Sequence, residues 1–220
     1  MRKKLGSLNC MVRPGEEQGR NVVILHGFGA DAADLFPLAD FLDPAGKWNF
    51  YFPDAPNEVP IGPGWTGRGW FPISVRELET GVDYTQVRPP GLKESNAAVS
   101  ELIFLLESKK LVLGGFSQGA MVAMDVALDQ PEDIAGLLLW SGVMLDEPGW
   151  RKKISGLKGK RYIQSHGTGD SVLQFAQGQR LHELLKSGGA VGELVAFPGA
   201  HEIPVPVLKK TGLLLADLLG

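Results

Sequence analysis

The residues best suited to covalent chemistry in this chain are the serine of Gly115-Phe116-Ser117-Gln118-Gly119 and three histidines downstream of it, His166, His182 and His201. A serine hydroxyl attacks poorly unless an imidazole takes its proton, and the imidazole needs an acid to fix its tautomer. The G-x-S-x-G pattern is short and weak by itself, but its flanks give it weight. Apolar Leu111-Val112-Leu113 runs into it, and Met121-Val122-Ala123-Met124 runs out of it. That is the strand-turn-helix setting a nucleophile elbow requires. Such a turn holds the hydroxyl at a helix N-terminus, where the dipole favours developing negative charge. The alternative is a Gly-rich connection in which Ser117 merely caps the helix.

The order nucleophile, acid, base, each on a loop after a strand, selects the partners. His182 lies inside a helical pattern, QRLHELL, and reads as a surface residue. His166 ends a strand directly, with no acid in the expected place between it and Ser117. His201 follows the strand at 193–197 and the turn Pro198-Gly199-Ala200, late in the chain, and is the expected base. Asp170, in His166-Gly167-Thr168-Gly169-Asp170, is the expected acid; Asp146 and Glu147 compete for that role, and a helix cap is the alternative use of Asp170. Attack on a carbonyl creates an oxyanion that backbone N–H groups must hold. One expected donor is Gln118, the residue after the serine. The other is Phe28, with Gly29 second, in the loop His26-Gly27-Phe28-Gly29. His26 is expected to brace that loop rather than react.

The elements that must position these residues alternate between short apolar runs and helical patterns, the form of a βαβ chain with a mostly parallel sheet. Strands are expected at 21–25, 48–52, 111–113, 134–140, 161–164 and 193–197. Helices are expected at about 31–42, 94–109, 118–130, 173–186 and 207–219. Residues 53–90, rich in Pro, Gly and aromatics, are too long for a simple connector and suggest function. Residues 141–160 form a second excursion, whose Arg151-Lys152-Lys153 reads as solvated surface. No repeat or boundary divides the chain, so one domain over 1–220 is expected.

Composition narrows the partners. The chain has 220 residues, 22 basic against 25 acidic, a net charge of −3 and 44% hydrophobic residues. No basic cluster supports nucleic-acid binding. A single cysteine, Cys10, excludes an internal disulfide framework and suits a reducing compartment. The basic opening MRKKLGSLNC lacks the apolar stretch of a signal peptide, and no run approaches the ~18 apolar residues of a membrane span. The expectation is a cytoplasmic protein without stable membrane insertion. Scattered histidines give no zinc-like spacing, so no metal or organic cofactor is expected. Apolar surface near the long loop is compatible with a homodimer.

Five segments together resemble the phospholipase/carboxylesterase family of α/β hydrolases, which includes acyl-protein thioesterases and small carboxylesterases. They are LHGFGAD at 25–31, GRGWFPI at 67–73, GFSQGAM at 115–121, HGTGD at 166–170 and PGAHEI at 198–203, in family order across nearly the whole chain. The resemblance implies an α/β-hydrolase fold with helices on both faces of the sheet and no large lid domain. It also implies a Ser117, Asp170, His201 triad, an oxyanion hole of Phe28 and Gln118 amides, and hydrolysis of short- to medium-chain acyl esters or thioesters. Trp65, Trp70, Phe71 and Leu173 are candidate acyl-pocket residues, although aromatic residues in a loop equally serve to pack it. Trp70-Phe71-Pro72 departs from the Trp-Phe-Asp or Trp-Tyr-Asp of many members, and Leu173-Gln174 replaces a frequent Val-Pro, so substrate preference does not carry over. Pro204 and Pro206 are expected to delay or reshape the last helix. Other readings of the same motifs are a hydrolase fold kept as a non-catalytic binding protein, a peptidase, or a dienelactone hydrolase; the last uses a cysteine at the elbow, and a peptidase usually adds a gating domain.

Overall fold

A computed structural model describes residues 1–16, 18–73 and 83–219; residues 74–82 of the long 53–90 segment lie outside them. The apolar runs form the centre of an eight-stranded sheet: β1 (Arg2–Leu5), β2 (Leu8–Arg13), β3 (Arg20–Leu25), β4 (Asn49–Pro53), then β7 (Lys110–Phe116), β8 (Ile134–Trp140), β9 (Arg161–Gly167) and β10 (Val191–Phe197). Their spatial order is β1-β2-β4-β3-β7-β8-β9-β10. The pairs from β4 to β10 are parallel, and β1 and β2 add an antiparallel edge.

Alternation along the strands divides the core between two faces. On one face Val23, Leu25, Leu111, Leu113, Leu137 and Leu139 pack against helices α3 (Leu92–Leu105), α4 (Gln118–Asp129), α5 (Glu147–Lys153) and α6 (Phe175–Ser187). On the other, Val22, Ile24, Val112, Leu138 and Trp140 pack against α1 (Ala32–Leu35), α2 (Leu38–Leu42) and α7 (Val205–Asp217). The fold is that expected for an α/β hydrolase.

Several local expectations are corrected. The helix expected at 31–42 is two short helices, because Pro37 between them supplies no N–H to a continuous ladder. The last helix is not delayed: Pro204 is its N-cap and Pro206 lies within its first turn, where a missing N–H costs nothing. The long 53–90 segment contains a two-stranded hairpin, β5 (Asn57–Gly62) and β6 (Trp65–Gly69), separate from the main sheet. The excursion at 141–160 holds α5 and a 3-10 turn at Ile154–Leu157, whose buried Trp150, Ile154 and Leu157 join the core.

One buried carboxylate ties several of these elements together. Asp125 on α4 accepts both terminal nitrogens of Arg88 at 2.9 and 2.8 Å, Asn96 Nδ2 at 2.8 Å and Trp150 Nε1 at 2.9 Å. Four donors replace the hydration that burial removes. Among the described residues an apolar groove of about 580 Å³ runs between α2 and α7, but none of the candidate site residues lines it.

Candidate active site

The sheet delivers Ser117, Asp170 and His201 to loops at its carboxyl edge, immediately after β7, β9 and β10. Ser117 has φ 55° and ψ −120°, a strained conformation for a residue with a side chain. Its backbone N–H donates to Trp140 O at 2.9 Å, tying the turn to β8. Its side chain makes no capping bond, so the ordinary N-cap alternative fails. The flanking glycines are required by close approach. A Cβ on Gly119 would stand 2.1 Å from Leu25 O, and one on Gly115 would stand 2.6 Å from the same oxygen.

His201 and Asp170 are brought together. His201 Nδ1 lies 2.6 Å from Asp170 Oδ2, a charge-assisted length. The other carboxylate oxygen, Oδ1, accepts the N–H groups of Val172 at 2.9 Å and Leu173 at 2.8 Å. Asp170 therefore closes its own turn and caps no helix; the residue at the N-cap of α6 is Gln174. Because an ionised carboxylate only accepts, Nδ1 of His201 carries the proton and Nε2 is left as the basic nitrogen. The imidazole packs at 4.8 Å, centroid to centroid, on Phe116, the neighbour of Ser117. The Ser117 hydroxyl itself makes no hydrogen bond among the described residues, a looseness common in ligand-free sites.

The competing acids are occupied elsewhere. Asp146 caps α5 through Gly149 N at 3.2 Å, and Glu147 holds Arg180 at 2.7 Å and Arg151. His182 is half-buried rather than a plain surface residue, with Nδ1 3.0 Å from the Tyr162 hydroxyl. Burial is the main cause that pushes its pKa down. Burial likewise pushes the Cys10 thiol up to about 12, so Cys10 is unreactive as well as distant in sequence from the elbow.

The loop after β3 meets the elbow closely. A Cβ on Gly27 would lie 3.5 Å from Ser117 Cβ. Gly29 N–H donates to Arg68 O at 2.8 Å, and Arg68 N–H donates to Ala30 O at 2.9 Å, which docks the β5–β6 hairpin on this loop. The N–H groups of Phe28 and Gln118 donate to nothing among the described residues. Of the two expected loop donors, only Phe28 is free to serve. His26 braces the loop as expected: Nδ1 donates to Gly27 O at 2.7 Å and Nε2 accepts Ala55 N–H at 3.0 Å. Both nitrogens are used by the neutral ring, and burial lowers its pKa.

The four residues expected in an acyl pocket fall into two groups. Trp70 and Phe71 are fully buried and do not face solvent. Trp70 Nε1 donates to His26 O at 2.9 Å, and Phe71 packs edge-on against Tyr84 at 6.2 Å. These contacts anchor the segment. Trp65, at the hairpin, is 74% exposed, and Leu173 is half-buried on the Asp170 turn. The Gln118 side chain, unremarked in the sequence, holds the Trp70–Phe71 segment: its Oε1 accepts Trp70 N–H at 2.8 Å and its Nε2 donates to Phe71 O at 2.7 Å. Among the described residues no group of three or more His, Cys, Asp or Glu side chains could hold a metal ion. No helix among them is long and apolar enough to cross a membrane.

Known proteins share this arrangement of elements. A profile described as phospholipase/carboxylesterase matches residues 8–213. Acyl-protein thioesterase 1 of Eremothecium gossypii is 31% identical over 179 residues, 75% of this chain and 72% of that protein. Carboxylesterase SOBER1 of Arabidopsis thaliana is 27% identical over 202 residues, 86% of each chain. Among solved structures, that of esterase PE8 superposes with a TM-score of 0.83 at 24% identity, covering 96% of this chain and 99% of its own, a likeness of fold. With the profile spanning nearly all of the sequence and the elbow, Asp–His pair and loop in place, this chain belongs to the phospholipase/carboxylesterase family of α/β hydrolases.

Proposed function

We propose that the protein is a serine hydrolase that cleaves short- to medium-chain acyl esters or thioesters through an acyl-enzyme on Ser117. The observation that carries the reading is the 2.6 Å bond between His201 Nδ1 and Asp170 Oδ2 beside a serine held in a strained elbow. Ser117 Oγ bonds to the acyl carbon while His201 Nε2 takes its proton. The carbon–oxygen or carbon–sulfur bond to the leaving group then breaks, and the alcohol or thiol departs with that proton. Water, deprotonated by the same imidazole, releases the acid and restores Ser117. The free N–H groups of Phe28 and Gln118 are the donors for the tetrahedral oxyanion, each worth ~3–4 kcal/mol in such sites. Exposed Trp65 and half-buried Leu173 are the surfaces offered to the acyl group, with Trp70 and Phe71 supporting from behind. A cytoplasmic site of action accords with one buried, unreactive cysteine.

The test is covalent labelling by a fluorophosphonate together with turnover of p-nitrophenyl esters and acyl thioesters of graded length. Labelling of the wild type that disappears in Ser117→Ala is expected. Loss of turnover by about 10⁴-fold or more is expected in Ser117→Ala and His201→Ala. An unlabelled wild type would favour a binding protein on a hydrolase fold.

A further inference from the structure

The Asp170 carboxylate touches a second imidazole that the reaction above does not use. His166, near the end of β9, is fully buried. Its Nε2 stands 2.7 Å from Leu173 O and 3.4 Å from Asp170 Oδ2. A carbonyl oxygen only accepts, so Nε2 carries the ring's proton and Nδ1 is a lone pair. That Nδ1 is buried with no hydrogen-bond partner among the described residues. The α6 backbone presses on it: a Cβ at Gly178 would lie 2.5 Å away. Among the described residues the ring has no acceptor for a second proton.

These contacts close a circuit. His166 donates to Leu173 O, and Leu173 N–H donates to Asp170 Oδ1. The same carboxylate holds His201 through Oδ2. The N–H of His166 also brings the positive end of its dipole near Oδ2, where negative charge must stay while His201 is cationic. We propose that His166 is a positioning residue for the acid of the triad: as a neutral Nε2–H imidazole it fixes the turn at 170–173 through Leu173 O and so sets the aim of Asp170 at His201. The inference rests on the serine-hydrolase reading. It locates the effect in the chemical step rather than in ester binding, because His166 is sealed from solvent.

The test compares His166→Gln, which can place an amide N–H near the Nε2 position, with His166→Phe, which keeps a ring and removes the donor. The measurements are kcat and KM for a p-nitrophenyl short-chain ester, Tm, and the low-field proton resonance of the His201–Asp170 bond. His166→Phe is expected to lower kcat about 10–100-fold with little change in KM, and to shift or broaden that resonance. His166→Gln is expected to restore most of both. A His166→Phe protein with a lower Tm but unaltered kcat and resonance would overturn the assignment, leaving His166 as core packing. If His166→Phe does not fold, Gly178→Ala displaces the ring without removing it, and wild-type kcat and resonance there would overturn it equally. Full turnover by Ser117→Ala would instead sink the hydrolase reading. The resonance, which needs no turnover, still reports on Asp170 and His201.

Discussion

Gln118 is used twice, once by each half of the residue. Its backbone N–H is the proposed oxyanion donor, and its side chain satisfies two buried backbone groups, Trp70 N–H and Phe71 O. Gln118→Ala keeps the backbone donor and orphans both partners. An unsatisfied buried polar group costs about 1–3 kcal/mol, so a total loss of about 2–6 kcal/mol is expected in urea denaturation. Because Trp70 also bonds to His26 O, the loop carrying Phe28 should loosen, and kcat should fall more than KM rises. An unchanged denaturation midpoint would mean that the tether carries no load. The proposed backbone role is read from the motif, since it follows from the position after the serine. The side-chain role was not legible, because its partners lie 48 and 47 residues away and no local spacing encodes them.

Elements, by contrast, were legible in proportion to how much of their reason for existing is local. The central strands read directly because both faces of the sheet are covered, which demands continuous apolar runs such as those in β3, β7 and β8. β1 is exposed Arg-Lys-Lys followed by Leu, with no alternation to read. The hairpin of β5 and β6 contains Pro60, Pro63 and four glycines, and is held by its docking to residues 29 and 30 rather than by a core face. What joins α4 to β3 is bare backbone. A methyl at Gly119 would meet Leu25 O at 2.1 Å and His26 O at 2.6 Å, neither of which can move aside like a side chain. Gly119→Ala should push the start of α4 away from β3 and carry Ser117 and the Gln118 N–H away from the Phe28 loop. Overpacking typically costs about 1–3 kcal/mol, and a clash with main chain belongs at the upper end. The expected result is a lower Tm with kcat reduced by about 100-fold or more. A Gly119→Ala enzyme of normal activity would show that the approach of helix and strand is not what sets the geometry.

At the scale of the molecule, the buried histidines make folding depend on pH apart from any effect on catalysis. His26 and His166 are 1% and 0% exposed, and burial lowers both pKa values from the usual 6.5. His26 has both nitrogens committed in its neutral form, and a proton on Nε2 would face the N–H of Ala55. His166 would have to place a second proton on its orphaned Nδ1. The unfolded chain therefore takes up protons near pH 6.5 that the native protein refuses until more acid conditions. Above that pH both states are neutral at these sites and stability is level. As pH falls below 6.5 the unfolded state binds more protons than the native one, and stability declines. The slope approaches about 1.4 kcal/mol per pH unit for each such histidine. It levels off only below the depressed native values. Urea denaturation at pH 7.5, 6.5 and 5.5 should give a constant midpoint between the first two, apart from the onset of protonation, and a clear fall at the third. His166→Gln should reduce the fall by close to one proton's share, whatever it does to stability at pH 7.5, because a glutamine does not titrate. Equal losses in both proteins between pH 6.5 and 5.5 would mean that the native ring of His166 accepts its second proton as readily as the unfolded chain does, and that its burial as a neutral donor is wrong.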